Sequence, residues 1–265
     1  MTPVLAVAQF APGPDAAANL ATIERLAREA VARGASLVVL PEYAQFFDGE
    51  PGPGWAAHAE ALDGPFVSAL GRLADELAAV LVAGLIERTG DGRRIRNTVV
   101  AVAPAAGLVA RHRKLHLYDA FGGRESDWIE PGAIEPPQTF AWEGLTVGLQ
   151  TCYDIRFPEV TRRIVDAGAN VVLVPAEWVR GPLKEHHWRA LVTARALENT
   201  VYVAGADHIP PIGVGASLVV DPMGVAIAQL AEAEDVATAA VSRERIAQVR
   251  RANPSLALRR FRVAE

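Results

Sequence analysis

The stretch Ser-Leu-Val-Val-Leu-Pro at residues 36–41 is a short apolar run that ends at a proline. Such a run is typical of a strand that is covered on both faces. Before it, apolar residues recur at three- and four-residue spacing over residues 16–33, which predicts a helix closed by Gly34. The run Val-Leu-Ala-Val-Ala-Gln at residues 4–9 predicts a strand before that helix. The order strand, helix, strand indicates a parallel α/β unit.

The order of predicted elements then occurs twice along the chain. The first half continues with a helix at about 66–79, a strand at 80–86 and a hairpin with strands at 97–103 and 108–114. The second half has strands at 145–150, 170–174 and 201–205, helices at about 157–167 and 186–198, and a hairpin at 217–230. Two such α/β layers cover each other when sheet packs on sheet with the helices outside. We therefore predict an α/β fold, a four-layer α-β-β-α sandwich with an internal pseudo-twofold repeat.

The domain organisation has two interpretations, a single domain over residues 1–265 or two independent α/β domains. No linker rich in Gly, Ser or Pro separates the halves near residue 130, which favours the single domain. Residues 121–138 are loop-rich and are interpreted as a functional loop. Residues 243–265 are predicted to form a C-terminal helix and tail, a candidate for exchange across a dimer.

Composition and charge exclude several classes of protein. An apolar fraction of 51% supports a large core and argues against a disordered chain. The net charge of −5 argues against a nucleic-acid partner, and no apolar run approaches the ~18 residues that would indicate a membrane partner. The N-terminus shows no signal peptide, and a single cysteine fits a reducing compartment, so we expect a cytoplasmic protein.

Three residues with useful chemistry each follow or end a predicted apolar strand: Glu42, Lys114 and Cys152. Each has an ordinary interpretation when taken alone: a surface carboxylate, an exposed basic strand end and a small buried hydrophobe. Together they form a set, because a thiol nucleophile needs a base for its proton and a cation where an oxyanion forms. A helix start after Cys152 is expected to lower the pKa of the thiol.

The motifs around these residues resemble the nitrilase, or carbon–nitrogen hydrolase, superfamily. They are Leu-Pro-Glu-Tyr (40–43), Arg-Lys-Leu-His-Leu (113–117), Arg-Glu-Ser before Pro-Gly (124–132) and Cys-Tyr-Asp-Ile-Arg-Phe-Pro-Glu (152–159). Two later runs also fit the resemblance: His-Trp-Arg-Ala-Leu-Val-Thr-Ala-Arg-Ala-Leu-Glu-Asn (187–199) and Ser-Leu-Val-Val-Asp-Pro-Met-Gly (217–224). The resemblance covers nearly the whole chain and implies an α-β-β-α sandwich.

The resemblance also implies an enzyme that hydrolyses the carbon–nitrogen bond of a small amide through a cysteine thioester. In it Cys152 is the nucleophile, Glu42 the general base and Lys114 the oxyanion stabiliser. Glu125 maps to the family's second glutamate, which orients substrate or assists proton transfer, and the N–H of Tyr153 is the second oxyanion donor. A homodimer or higher homo-oligomer is expected, and no cofactor.

The substrate is less well defined by the sequence. Residues 152–159 and Gly-Pro-Leu-x-x-x-His-Trp (181–188) resemble small amidases that act on ω-amides of dicarboxylates, including deaminated glutathione. After Pro175 that branch usually has small or aromatic residues, whereas this chain has Glu177 before Trp178. Glu177 would either favour a neutral or cationic amide or pair with Arg180 or Arg156 as a structural residue.

Several alternatives are kept beside this interpretation. Arg124 either meets a substrate carboxylate or is an ordinary surface arginine. A zinc site at His112, His116, His186 and His187 has little support, because no cysteine pair or His-Glu-x-x-His pattern accompanies it, and no metal is expected. A carbamoylase or nitrilase of the same superfamily remains open, as does a non-catalytic binding protein in which Glu42, Lys114 and Cys152 are not clustered.

Overall fold

The computed structural model describes residues 2–263, so Met1 and residues 264–265 of the predicted domain and tail lie outside the described residues. The first half of the chain contains seven elements. They are β1 (Val4–Gln9), α1 (Ala16–Ala32), β2 (Leu37–Val39), α2 (Pro65–Leu77), β3 (Val80–Arg88), β4 (Ile95–Ala103) and β5 (Gly107–Arg113).

The second half contains the corresponding elements and three further ones. They are β6 (Thr139–Trp142), β7 (Leu145–Leu149), α3 (Pro158–Asp166), β8 (Val171–Pro175), α4 (Lys184–Asn199), β9 (Tyr202–Ala206), β10 (Leu218–Val220), β11 (Ala226–Gln229), β12 (Asp235–Ala240) and α5 (Arg243–Ala252). The three further ones are β6, β12 and α5. The predicted repeat of strand, helix, strand, helix, strand and hairpin is therefore present, with boundaries that differ by a few residues.

Two six-stranded sheets are built from these strands. The order in the first sheet is β12-β1-β2-β3-β4-β5, and the order in the second is β11-β10-β9-β8-β7-β6. In each sheet the three central strands, β1-β2-β3 or β7-β8-β9, are parallel, and the flanking pairs are antiparallel. The side of β1 that carries β12 corresponds to the side of β7 that carries β6. This correspondence is the internal repeat seen in three dimensions.

The core has three layers of apolar contact, which confirm the predicted four-layer sandwich. Between the sheets, residues of both halves form one cluster that includes Leu5, Val39, Val147 and Leu173. The outer face of the first sheet packs on α1 and α2, and that of the second sheet packs on α3 and α4. Parallel strands need cover on both faces, and the runs that appeared uniformly apolar in sequence are buried on both.

Two edge strands were not predicted from the sequence. β6 lies just after the segment that was interpreted as a loop, and β12 follows the second hairpin. β12 has only β1 as a neighbour and shows a weak burial alternation, so its sequence of small and polar residues carries little periodic signal. Through β12 the chain returns from the second sheet to the first. Within residues 2–263, no helix combines the length and apolar character required to cross a membrane.

Candidate active site

The predicted residues meet where several strands end. Glu42 follows β2, Lys114 follows β5 and Cys152 follows β7 after two residues. Lys114 and Cys152 line one cavity of about 270 Å³, and Glu42 lies behind it with its Oε1 atom 3.0 Å from the Lys114 Nζ atom. The cavity is also lined by Glu125, Tyr153, Glu177 and Trp178. The structure thus brings together all seven residues that were predicted for the site.

Glu42 is fully buried, and its carboxylate is satisfied by three donors. Oε1 accepts from the Lys114 ammonium and from Asn97 Nδ2 at 2.5 Å, and Oε2 accepts from the backbone N–H of Glu177 at 2.6 Å. A buried carboxylate is costly unless it is paired and hydrogen-bonded. These contacts fix the carboxylate in one orientation beside the thiol.

Lys114 lies between two carboxylates. Its Nζ atom donates to Glu42 and, at 2.9 Å, to Glu125, which in turn accepts from the Tyr43 hydroxyl at 2.6 Å and from the Tyr118 N–H at 2.5 Å. Burial alone would lower the pKa of Lys114, but the charges of Glu125 and Glu42 outweigh it and hold that pKa well above its usual value. The ammonium therefore keeps its charge at neutral pH.

Cys152 begins a 3-10 turn, Cys152–Arg156, and has a backbone φ of 41°. This left-handed conformation is costly for a residue with a Cβ atom and is characteristic of functional sites. The side chain is buried, with its Sγ atom 3.5 Å from the carbonyl oxygen of Glu177. The turn places the thiol at the base of the cavity.

The predicted lowering of the thiol pKa is wrong. Burial raises the pKa of Cys152 well above its usual value, and the charge of Glu42 raises it further against the opposing charge of Lys114. The residue lies in a 3-10 turn ahead of α3 rather than in the first turn of that helix. The thiol is therefore protonated at neutral pH and needs a base to react.

Glu177 forms no ion pair with the arginines proposed for it. Arg180 lies 3.6 Å from Glu232, and Arg156 contacts the His187 ring at 3.4 Å. Burial, and next the charge of Glu42, raise the pKa of Glu177 well above its usual value. The folded surroundings therefore disfavour the charge of the acidic group that the sequence indicated near the pocket.

Trp178, Tyr153 and Arg124 line different parts of the cavity. The Trp178 ring is almost fully buried, and its Nε1 atom donates to the carbonyl oxygen of Lys184 at 2.9 Å. The Tyr153 ring packs edge-on against Tyr118 at a centroid distance of 5.1 Å. The Arg124 side chain is 77% exposed and lies 3.4 Å from Asp127, which fits the surface interpretation.

The histidines considered for a zinc site have other partners. Asp154 accepts from His112 Nε2 and from His116 Nδ1, each at 2.8 Å. Among residues 2–263 no group of three or more His, Cys, Asp or Glu side chains could hold a metal ion.

Sequence reasoning missed several residues that hold the site together. Tyr43 and Asn97 bind the two glutamates, and His208 Nε2 donates to the carbonyl oxygen of Glu42 at 2.7 Å. Asp207 accepts from the N–H of Trp178 at 2.6 Å. Asp207 and His208 directly follow the apolar strand β9, so the strand-end rule that found Glu42 could also have found them.

Comparison with known proteins supports the same chemistry. The sequence profile of the carbon–nitrogen hydrolase family matches residues 4–251. A deaminated glutathione amidase of Escherichia coli O157:H7 is 39% identical over 263 residues, covering 97% of each chain. A hydrolase of Mycobacterium tuberculosis is 39% identical over 269 residues, covering 93% of this chain and 94% of its own.

Solved structures agree with the sequence comparisons. An amidase from Nesterenkonia sp. superposes with a TM-score of 0.82 at 27% identity and covers 95% of this chain and 96% of its own. Saccharomyces cerevisiae Nit3, a nitrilase-superfamily member, superposes with a TM-score of 0.86 at 28% identity, covering 98% and 97%. In a glutamate-to-leucine variant, the Nesterenkonia amidase carries the acetamide moiety of fluoroacetamide covalently added at its active-site cysteine. By its profile match and its relatives, the chain belongs to the carbon–nitrogen hydrolase family.

Proposed function

We propose that this carbon–nitrogen hydrolase is an amidase that converts a small amide to a carboxylate and ammonia through a thioester on Cys152. The observation that carries the proposal is the 3.0 Å contact between Glu42 and Lys114 beside the buried thiol. This arrangement supplies a base, a nucleophile and a cation in one cavity. A non-catalytic binding protein was expected to lack such a cluster.

The first half-reaction forms the thioester. Glu42 accepts the proton of the Cys152 thiol as the sulfur attacks the amide carbon and the S–C bond forms. The negative charge on the oxygen is met by the Lys114 ammonium and the N–H of Tyr153. Glu42 then gives the proton to the amide nitrogen, the C–N bond breaks and ammonia leaves. The raised pKa of Cys152 supports this coupling, since the thiol becomes nucleophilic only as its proton moves.

The second half-reaction releases the acid. Glu42 takes a proton from a water molecule that attacks the thioester carbon, the C–S bond breaks and the proton returns to the sulfur. Glu125 also accepts from the Lys114 ammonium, at 2.9 Å, so its role is to orient that cation and substrate through these steps. Losing one oxyanion donor costs on the order of 10²–10³ in rate.

The test is ammonia release from a panel of amides, carbamoyl compounds and nitriles. The wild-type protein is expected to release ammonia from amides, and Cys152→Ala to lose at least ~10³-fold in turnover while its thermal unfolding stays within a few degrees of wild type. Turnover at the wild-type level in Cys152→Ala would remove this residue from the mechanism. Carbon dioxide released with the ammonia would identify a carbamoylase, and nitrile turnover a nitrilase.

We also propose that the protein forms a homodimer or a higher homo-oligomer and acts in the cytoplasm on a small-molecule substrate. Support for assembly comes from the C-terminal tail, where the apolar side chains of Leu258 and Phe261 are 71% and 89% exposed. Light scattering on the purified protein measures the size of the assembly.

A further inference from the structure

Lys184, the first residue of α4, carries a buried ammonium group beside the active-site cavity. The residue is only 5% exposed, and within residues 2–263 it forms no ion pair. Burial lowers the pKa of this ammonium. Since a buried charge is costly unless it is paired or hydrogen-bonded, the groups that surround the ammonium indicate its role.

The ammonium is surrounded by aromatic rings and one hydroxyl. Its Nζ atom donates to the Tyr118 hydroxyl at 2.7 Å. It also lies 4.2 Å from the centre of the Phe121 ring and 5.6 Å from that of Trp178, distances at which a cation is attracted to an aromatic face. The Trp178 indole donates in addition to the carbonyl oxygen of Lys184 at 2.9 Å, which fixes the backbone of Lys184 at the start of α4.

Two of these partners belong to a loop, residues 118–125, that leads to Glu125. Residues 118–124 lie outside the helices and strands. The Phe121 side chain is 74% exposed, and its backbone φ of 54° is a left-handed conformation that is costly for a residue with a Cβ atom. Contact with the Lys184 ammonium gives this exposed ring a partner and joins the loop to α4.

Tyr118 connects the same loop to the groups that are proposed to stabilise the oxyanion. Its backbone N–H donates to Glu125 at 2.5 Å, and Glu125 accepts from the Lys114 ammonium at 2.9 Å. Its ring packs edge-on against Tyr153, whose N–H is the second oxyanion donor of the proposed mechanism. A displacement of Tyr118 would therefore disturb both donors.

We propose that Lys184 is a positioning residue that holds the loop of residues 118–125 in place through the Tyr118 hydroxyl. In this way it keeps Glu125 oriented on the Lys114 ammonium. The inference rests on the proposed amidase function and adds a residue to it that acts through the loop and not on the substrate. Loss of such a contact weakens stabilisation of the transition state, so kcat and kcat/KM fall together and KM changes little.

Two substitutions remove the contact from opposite sides: Lys184→Met, and Tyr118→Phe, which keeps the ring and the backbone N–H. Each is expected to lower kcat for butanamide about 10-fold, with KM within about twofold of the wild-type value. Because both remove the same hydrogen bond, the double variant should have a kcat no lower than that of Lys184→Met.

The controls remove the same kinds of group elsewhere. Arg189→Met deletes an exposed cation from α4, and Tyr202→Phe deletes a hydroxyl that lies outside the cavity and accepts from the Ser242 N–H. Both should keep the wild-type kcat and KM.

Hydrogen exchange followed by mass spectrometry tests the contact without turnover. The peptide of residues 118–128 should exchange at least about threefold faster in Lys184→Met and in Tyr118→Phe, since the loop opens more often when it is not held. The peptide of β5, residues 107–113, should exchange at the wild-type rate in both variants.

Unchanged kcat or unchanged loop exchange in Tyr118→Phe would overturn the proposal, and this variant decides alone if Lys184→Met does not fold. Two further results would also overturn it. Losses that multiply in the double variant would show that the residues act separately, and a loss seen with succinamate but not with butanamide would show that Lys184 contacts the substrate itself. These results leave the amidase function intact, whereas no ammonia from any amide with the wild-type protein refutes that function and the positioning role with it.

Discussion

At the scale of single residues, Cys152 and Glu42 show how burial decides the chemistry of a side chain. The thiol is buried beside a carboxylate, so both its desolvation and its main charged neighbour favour the protonated form. Lys114 opposes them but is itself shared between two glutamates. The sulfur is therefore not a thiolate before the reaction, and a base must take its proton as it attacks.

This protonation state predicts the alkylation behaviour of the one cysteine in the chain. The rate of reaction of Cys152 with iodoacetamide should stay low at neutral pH and rise only above about pH 9, beyond the usual thiol pKa of ~8.5. Because the charge of Glu42 raises the thiol pKa, Glu42→Gln should move this rise to lower pH. Mass spectrometry of the alkylated protein from pH 6 to 10 measures the rates.

A control for this experiment removes a distant carboxylate. Glu24→Gln changes an exposed residue on α1 and should leave the pH profile unchanged. Fast alkylation of the wild-type protein at pH 7, or an upward shift in Glu42→Gln, would contradict the account of the thiol.

Sequence reasoning singled out Cys152, Glu42 and Lys114 because each stands at or just after the end of an apolar run, where a polar side chain has no place in the core. It could not identify Tyr43 or Asn97, because they matter through their hydrogen bonds to Glu125 and Glu42, which only the fold brings close to them. The error about the thiol pKa has the same origin. The burial of Cys152 and its distance from Glu42 are properties of the folded chain.

At the scale of elements, Asp154 joins the end of β5 to the turn that carries Cys152. Its carboxylate accepts from His112 in β5 and from both the ring and the backbone N–H of His116, at 2.8 to 2.9 Å. Lys114 lies between these two histidines in the chain. The contacts therefore hold the segment of Lys114 against the turn of Cys152.

The hydrogen bonds of Asp154 with His112 and His116 make the stability of the protein depend on pH. Burial alone would raise the pKa of Asp154, but hydrogen bonds from His112 and His116 outweigh it and hold the pKa well below its usual value of ~3.9. A lowered pKa adds stability that is present above pH ~4 and is lost as the pH falls below it. Asp154→Asn should thus lower the free energy of unfolding by about 3 kcal/mol at pH 7.

Urea unfolding between pH 3 and pH 7 measures this difference. The wild-type and Asp154→Asn values should approach each other below pH 4, while Asp127→Asn, a change in the exposed loop, should follow the wild type throughout. If the difference in free energy of unfolding between the Asp154→Asn and wild-type proteins stays constant down to pH 3, the charge of the carboxylate is not what stabilises these contacts.

The absence of a side chain at Gly84 in β3 leaves room for the backbone of Glu42 and Tyr43. A Cβ atom at this position would lie 2.5 Å from the Tyr43 nitrogen and 2.7 Å from the Glu42 Cα atom. Gly84→Ala should therefore displace the loop of Glu42, reduce kcat/KM by about 100-fold and cost about 1–3 kcal/mol in stability.

The matched change is Gly71→Ala in α2, where the added Cβ atom would meet nothing closer than Val102 at 3.9 Å. It should stabilise the protein by about 0.5–1 kcal/mol through the helix propensity of alanine and leave activity unchanged. Kinetics and thermal unfolding of both variants test the pair. Full activity in Gly84→Ala would mean that the loop moves without cost.

The elements differ in how well the sequence predicts them, for a physical reason. The central strands β2 and β8 are buried on both faces, so every residue must be apolar and the run is conspicuous. The edge strand β12 depends on pairing with β1 and consists mostly of small residues. Its formation is decided by a partner more than 200 residues away, which no local pattern reveals.

At the scale of the whole molecule, the two halves are interlocked. Gln9 of β1 accepts from the Ser217 N–H at 3.0 Å and donates to the carbonyl oxygen of Ala231 at 2.9 Å, so the first strand is bonded to the second half. β12 crosses back to complete the first sheet. We therefore propose that residues 2–263 form a single domain, which the missing linker indicated in the sequence.

A single domain makes a prediction about cooperativity that two independent domains would not. Leu5 is fully buried in the cluster between the sheets, and Leu5→Ala should cost about 2–5 kcal/mol. Because Trp55 lies in the first half and Trp188 in the second, tryptophan fluorescence and far-UV circular dichroism report on both. In the wild type and in the variant the two signals should follow one coincident transition, shifted as a whole in Leu5→Ala. Two resolved transitions, with only one of them moved by the substitution, would mean that the halves unfold separately, and the shared core would then be an interface between two domains.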